Sequence, residues 1–200
     1  MMELVLATHN KDKITEIMAL LQDLPIKILT FSDFDHFPDV VEDRDTLEGN
    51  AEKKAREIFN ITGIPSMADD TGLFVDALDG EPGVYSSRYA GENVTYEDNR
   101  KKLLVEMQDM PAKKRDAVFK TVIVFIKNND EKYVVEGECK GYIGFEEKGE
   151  MGFGYDPIFY LKESNKSFAE LSLKEKNRIS HRGRALQKIK EILAEITKNT

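Results

Sequence analysis

The stretch Ile64-Pro65-Ser66-Met67-Ala68-Asp69-Asp70-Thr71-Gly72-Leu73-Phe74-Val75 sets two adjacent carboxylates, a hydroxyl and a glycine between two apolar runs. Apolar runs of this kind read as buried sheet strand, so the acids are expected at a strand end, where a turn delivers side chains into a crevice. Neighbouring carboxylates repel unless a cation or a shared proton separates them, and hard oxygen donors suit a divalent metal. An Asp-Asp-Thr-Gly turn that only caps a strand in solvent has the same local sequence. The rest of the chain has to decide between the two.

Upstream, Leu4-Val5-Leu6-Ala7 is a nearly continuous apolar run that passes through Thr8-His9-Asn10 into a segment with Ile14, Ile17, Met18 and Leu21 on one face. This predicts a buried strand, a polar turn and a helix. The turn meets the positive N-terminal end of that helix, a place for phosphate oxygens, and Lys13 adds a full charge in the first turn. Thr and Asn are also ordinary helix caps there. No G-x-x-x-x-G-K occurs, which disfavours a P-loop nucleotidase. Residues 26–29 read as a second strand, followed over 32–43 by a loop rich in acids, Phe and Pro38. A second helix is expected to start near Asp45, where Asp45 and Glu48 have capping-box spacing, and to bury Ala51, Ala55, Ile58 and Phe59. Glu42 lies just before that start, where it can cap or be solvated. Lys54 falls beside Ala51 and Ala55, where a lysine usually snorkels and less often aims at a ligand.

Downstream, residues 80–91 form a loop dense in Gly and aromatic residues, of a length that tends to be functional or to contact another subunit. A helix over 95–107 points Leu103, Leu104 and Met107 inward, and strands over 117–126 and 133–142 are joined through Asn128-Asn129-Asp130 as a hairpin. Strand–helix alternation followed by antiparallel strands predicts an α/β protein with a mixed sheet and helices packed against it. In Gly152-Phe153-Gly154-Tyr155-Asp156-Pro157 the flanking glycines leave the Phe153 ring uncovered for stacking on a base, a contact of roughly 1–3 kcal/mol. Asp156, held extended before proline, can accept a hydrogen bond from a ring N–H. A bulged strand with a core Phe and Tyr is the alternative. Ser180 is expected to cap a closing helix with Leu186, Ile189, Leu193 and Ile196 inward. His181 and Arg182 would then sit at a helix start, where the dipole disfavours cations unless an anion lies between.

The 200 residues, 40% hydrophobic, suffice for one domain spanning 1–200 with a sizeable core. A net charge of −8, from 29 basic against 37 acidic residues, argues against gripping long nucleic acid. An anionic ligand would need a local basic cluster, because fields are screened beyond about 8 Å at physiological salt. The single cysteine, Cys139, excludes an internal disulfide and is expected to be a packed strand residue. With no basic-then-apolar leader and no apolar run long enough to span a bilayer, a cytoplasmic location away from membranes is expected.

Six stretches, in order, resemble the inosine triphosphate pyrophosphatases, the noncanonical purine nucleoside triphosphate pyrophosphatases. They are Leu6-Ala7-Thr8-His9-Asn10 with Lys13, Thr46-Leu47-Glu48-Gly49-Asn50-Ala51 with Lys54, Ala68-Asp69-Asp70-Thr71-Gly72-Leu73, Pro82-Gly83-Val84-Tyr85-Ser86-Ser87-Arg88-Tyr89, Phe153-Gly154-Tyr155-Asp156-Pro157-Ile158-Phe159 and Ser180-His181-Arg182-Gly183. The resemblance implies an elongated mixed α/β fold with two lobes and a central nucleotide cleft, usually a homodimer. It also implies Mg²⁺-dependent hydrolysis of ITP, dITP and XTP between the α and β phosphates. Nucleotide contacts would then fall to Thr8, His9, Asn10, Lys13, Lys54, Thr71, Phe153, Gly154, Tyr155, Asp156, Lys176, His181 and Arg182. Glu42 and Asp70 would hold the metal, with Asp69 as a further candidate ligand and Asp70 also acting as the base. Lys13, Lys54, Lys176 and Arg182 would supply positive charge to the triphosphate, Phe153 the stacking platform, and His181 and Arg182 donors to the 6-oxo group. Thr71 stands where many members have Ser, and His9 where many have a smaller residue. A phosphohydrolase for other modified nucleotides and a nucleotide-binding regulatory module without turnover are the competing readings.

Overall fold

Parallel pairing of β1 (Met2–Leu6) with both β2 (Ile26–Leu29) and β3 (Ser66–Val75) places Met2 opposite Ile26, Val5 opposite Ser66 and Leu6 opposite Met67. A computed structural model describes residues 1–198. Among the described residues the sheet continues through β5 (Asp116–Ile126), β6 (Lys132–Ile143) and β7 (Phe159–Tyr160), in the order β2-β1-β3-β5-β6-β7, with the short β4 (Pro82–Gly83) on β3. The β3–β4 and β6–β7 pairs are antiparallel, so the sheet is mixed, as the order of predicted elements implied. The chain divides into two compact units, one of residues 1–70, 121–137 and 182 onward, the other of residues 71–120 and 138–181.

In the first unit Leu4, Val5 and Leu6 of β1 are buried on both faces, which is why β1 reads as a continuous apolar run. Side chains alternate sides along a strand. Leu4, Leu6, Met67, Ile123 and Phe125 therefore pack with Ile14, Ile17 and Leu21 of α1 (Lys11–Leu21) and Leu186, Ile189 and Leu193 of the closing helix, His181–Lys198. Val5, Ala7, Ala68, Val124 and Ile126 pack on the other side with Ala51, Ala55 and Ile58 of α2 (Leu47–Thr62). Alanines at 51 and 55 let that helix lie close to the sheet. The start of α2 falls one residue later than the Asp45–Glu48 spacing suggested. Thr46 is the cap, its hydroxyl accepting the Gly49 N–H at 3.0 Å, and Gly63 ends the helix at φ 67.

In the second unit Leu73, Val75, Phe119, Cys139, Ile143, Phe159 and Phe168 form the core with Leu103 and Met107, from α3 (Tyr96–Glu106) and its C-cap. Cys139 is a packed strand residue, as expected. The loop over 80–91 is tied to its own unit. Ser86 Oγ accepts the Leu73 N–H at 2.9 Å and donates to the Gly83 carbonyl at 2.6 Å, while Tyr155 Oη donates to the Ser86 carbonyl at 2.9 Å. A Cβ on Gly72 would lie 2.6 Å from the Gly83 carbonyl oxygen, so β4 reaches β3 only because residue 72 has none. Arg115, 1% exposed, donates to the carbonyls of Ile143, Met107 and Gly144 at 2.7, 2.6 and 2.7 Å. The end of β6 and the C-cap of α3 are thereby held by one guanidinium. Arg115→Met removes every one of these donors, and we expect it to lower the unfolding free energy by about 2–4 kcal/mol in urea titrations. A loss below about 0.5 kcal/mol would show that solvent replaces them.

α4 (Leu173–Ile179) completes this unit, capped by Ser172 in a capping box with Glu175. No helix among the described residues is long and apolar enough to cross a membrane.

Candidate active site

Asp69 and Asp70 do not sit at a strand end. They lie inside the ten-residue β3, beyond the point at which β1 stops pairing with it. The pleat therefore sends them to opposite faces, Asp69 following Met67 and Asp70 following Ala68. Lys13 and Lys54 act electrostatically on both carboxylates. Each carboxylate faces a different helix and acquires a different environment.

Asp69, 2% exposed, faces α1 and the start of the closing helix. Its Oδ2 accepts from Arg182 Nε and Nη2, each at 3.1 Å, and lies 3.2 Å from Lys13 Nζ. Arg182 Nη1 donates to Glu16 Oε2 at 2.5 Å. Burial acts to raise the Asp69 pKa, but Lys13, Arg182 and Lys54 together hold it well below the usual carboxylate range. Burial lowers Lys13 despite the attraction of Asp69. For Arg182, burial is outweighed by Asp69 and Glu16, which raise it. An anion was expected to reconcile His181 and Arg182 with a helix start. For Arg182 the anions are carboxylates of its own unit, Asp69 and Glu16.

Asp70 faces α2. Its Oδ2 accepts from Asn50 Nδ2 at 3.2 Å and its Oδ1 lies 3.6 Å from Lys54 Nζ. Lys54 also donates to the Asp69 carbonyl at 2.9 Å and to Glu42 Oε1. The buried Lys54 ammonium does not snorkel to solvent and is held by carboxylates of the chain. Burial pushes the Asp70 carboxyl up; Lys54 pulls it down and Glu42 pushes it up again. Lys54 is raised, burial being outweighed by Asp70, Glu42 and Asp69.

The turn before α1 is closed by Asn10, whose Oδ1 accepts the N–H groups of Asp12 and Lys13 at 3.0 and 3.1 Å. Those two amides thus serve the cap, and the charge this turn offers a phosphate is the Lys13 ammonium. Thr8 Oγ1 accepts the Asn10 N–H at 3.1 Å. His9 turns away from α1, its ring against Phe31 and Phe37 and its Nε2 3.1 Å from Asp39 Oδ1.

In the second unit, Asp156 Oδ2 accepts from the Phe153 N–H at 2.8 Å and from Lys176 Nζ at 2.5 Å. The buried Asp156 carboxylate organises the Phe153 turn and neutralises Lys176 through Oδ2. The Phe153 ring is not uncovered. Lys176 Nζ stands 4.8 Å from its centroid and the Tyr96 ring 6.0 Å away. Gly152 is required at φ 77, where a Cβ would lie 2.1 Å from Asp156 Oδ2. Tyr155 commits its side chain to the core, whereas the Gly154 carbonyl accepts from Arg100 Nη1 at 2.9 Å. Thr71, next along β3, is half-buried. The His181 ring is stacked on Phe119 at 4.4 Å and 15°. Lys176 thus belongs with the aromatic Phe153, and Lys13, Lys54 and Arg182 with the β3 carboxylates.

Two participants escaped the sequence reading. Glu16 lies three residues after Lys13, one helical turn away on the same face, and that spacing was its signal. Asn50, fully buried, also accepts the Arg44 N–H at 2.9 Å; a polar residue one position before Ala51 on the buried face marked it.

Among the described residues no three Asp, Glu, His or Cys side chains converge on a metal position. Mg²⁺ is nevertheless commonly bound through one or two carboxylates, with water and substrate phosphate completing the shell. Glu42 and Asp70, two hard oxygen donors gathered around one ammonium, fit that pattern. Asp69, turned to the other face and held by Lys13 and Arg182, does not.

The model of the Ham1 family matches residues 4–192. The chain belongs to the Ham1 family. Ham1 relatives include a Geobacter sulfurreducens protein named dITP/XTP pyrophosphatase, 49% identical over 96% of this chain and 97% of its own length. A Thermoanaerobacter protein of the same name is 46% identical over 96% of each. A solved HAM1 protein from Coxiella burnetii superposes with a TM-score of 0.89 at 42% identity, covering 98% of this chain and all of that one.

Proposed function

We propose that this protein hydrolyses the noncanonical purine nucleoside triphosphates ITP, dITP and XTP to the monophosphate and pyrophosphate, keeping them from the nucleotide pool. The observation that carries this reading is the Glu42–Lys54–Asp70 cluster braced by Asn50, in a Ham1 chain whose relatives bear the name dITP/XTP pyrophosphatase. A module that only binds nucleotides has little use for two carboxylates gathered in this way.

Asp70 is the base in this reading. The Asn50 amide fixes the orientation of Oδ2 while Oδ1 receives the proton of the attacking water. Glu42 and Asp70 hold Mg²⁺, which when bound neutralises charge on the phosphate oxygens. Lys13 offsets the negative charge that builds on the leaving pyrophosphate. Phe153, with Lys176 over its ring, suits a purine face. His181 and Arg182, at the start of the closing helix, are the proposed donors to a 6-oxo group. Thr8, His9, Asn10, Thr71, Gly154, Tyr155 and His181 complete the proposed nucleotide contacts through backbone or side chain. The protein acts as a single domain, as a cytoplasmic homodimer, and without nucleic acid or membrane partners.

A panel of ITP, dITP, XTP, GTP and ATP with and without Mg²⁺, read as released pyrophosphate, tests this. We expect metal-dependent pyrophosphate from the first three. Adenine lacks the 6-oxo acceptor, and a site built from donors rejects it by roughly 10⁴-fold. Orthophosphate as the product, or equal use of ATP and ITP, contradicts the reading.

A further inference from the structure

Lys54 occupies the space in which a cation bound by Glu42 and Asp70 would exert its charge. Its ammonium donates to Glu42 Oε1, lies 3.6 Å from Asp70 Oδ1 and is anchored on the Asp69 carbonyl at 2.9 Å. All three partners belong to one compact unit, and the Lys54 side chain is only 10% exposed. A divalent ion brought to the same two carboxylates meets a buried positive charge within a few ångströms, where repulsion between charges is only weakly screened. The ammonium also uses acceptor positions on Glu42 that the metal would need. Of the neighbouring cations, Lys13 and Arg182 are paired with the Asp69 carboxylate on the opposite face of β3.

We propose that Lys54 is the resident counter-ion of the Glu42–Asp70 pair and keeps a divalent metal out until a polyphosphate arrives to receive the ammonium. This inference rests on the assignment of Glu42 and Asp70 as the metal-holding carboxylates. Its consequence is an order of events. The nucleotide-free protein holds metal weakly, the polyphosphate draws Lys54 off the carboxylates, and metal and substrate are taken up together. The exchange of partners leaves the carboxylate pair compensated at every stage, first by the lysine and then by the metal. It also disfavours accumulation of an idle metal-loaded enzyme without nucleotide.

Mn²⁺ binding to the nucleotide-free protein, followed by the electron paramagnetic resonance of the free ion, measures this without turnover. Wild type should bind Mn²⁺ weakly, Lys54→Gln at least about tenfold more tightly, and Lys54→Arg, which restores the charge, as weakly as wild type. Should Lys54→Gln fail to fold, wild type alone still decides. Measured against protein-free samples containing the same imidodiphosphate, which itself chelates Mn²⁺, this hydrolysis-resistant polyphosphate should raise the fraction of Mn²⁺ held on the protein at least about fivefold. Wild type binding Mn²⁺ as tightly as Lys54→Gln, or equally with and without imidodiphosphate, overturns the role of Lys54 and leaves the proposed activity standing. Absence of Mn²⁺ binding by every variant, with or without the anion, overturns it together with the assignment of Glu42 and Asp70.

Discussion

Asp70→Asn lowers the turnover of ITP by about 10²–10⁴-fold, the range that a positioned general base contributes. Asparagine keeps the size of the side chain and still offers an oxygen to the Asn50 amide, which now reaches Asp70 Oδ2 at 3.2 Å. It cannot accept a proton from water, and it offers a metal one neutral oxygen in place of a carboxylate. Fold and nucleotide binding should therefore survive while kcat collapses. Pyrophosphate release under saturating substrate, with a melting curve alongside, checks the pair of expectations. A near-normal kcat removes Asp70 from the role of base, whatever its part in holding metal.

Asp69→Asn is expected to act on the fold. The Asp69 carboxylate lies between Lys13 and Arg182, both themselves removed from water. Breaking a buried ion pair by neutralising one partner leaves charge without compensation and costs about 3–5 kcal/mol. Arg182 keeps Glu16, so the lysine bears most of the loss. For a chain of 200 residues this corresponds to a fall in melting temperature of roughly 6–20 °C. Calorimetry or guanidinium titration measures it, and a change under about 1 kcal/mol would mean that Lys13 finds solvent without difficulty. The two neighbouring aspartates should thus part company, one mutation sparing the fold and disabling chemistry, the other loosening the fold itself.

That contrast marks the boundary between what was legible in the chain and what was not. Leu4-Val5-Leu6-Ala7 announces a strand buried on both faces because every residue in it must find apolar partners, and Leu6 and Ala7 do so on opposite sides. The amphipathic spacing of Ile14, Ile17 and Leu21 announces a helix for the same reason. Thr46 capping α2 in place of Asp45 shows the limit of that local reading, since adjacent residues of similar chemistry can each cap a helix that starts one residue apart. Glu16 and Asn50 carried only weak local signals, because the partners that fix a buried polar residue, Arg182 and Asp70 in these cases, are distant in sequence.

Hydrophobic periodicity and turn chemistry act over a few residues, so the sequence by itself determined the mixed α/β class, the longer strands and helices and the stretches that carry the chemistry, while the short β4, β7 and α4 went unread. The assignment of roles within those stretches came only with the tertiary structure. An acidic pair reads the same in either direction until a pleat turns Asp69 toward Arg182, 113 residues away in the chain, and Asp70 toward Lys54. Electrostatic partnership falls off with distance in space and takes no account of separation along the chain.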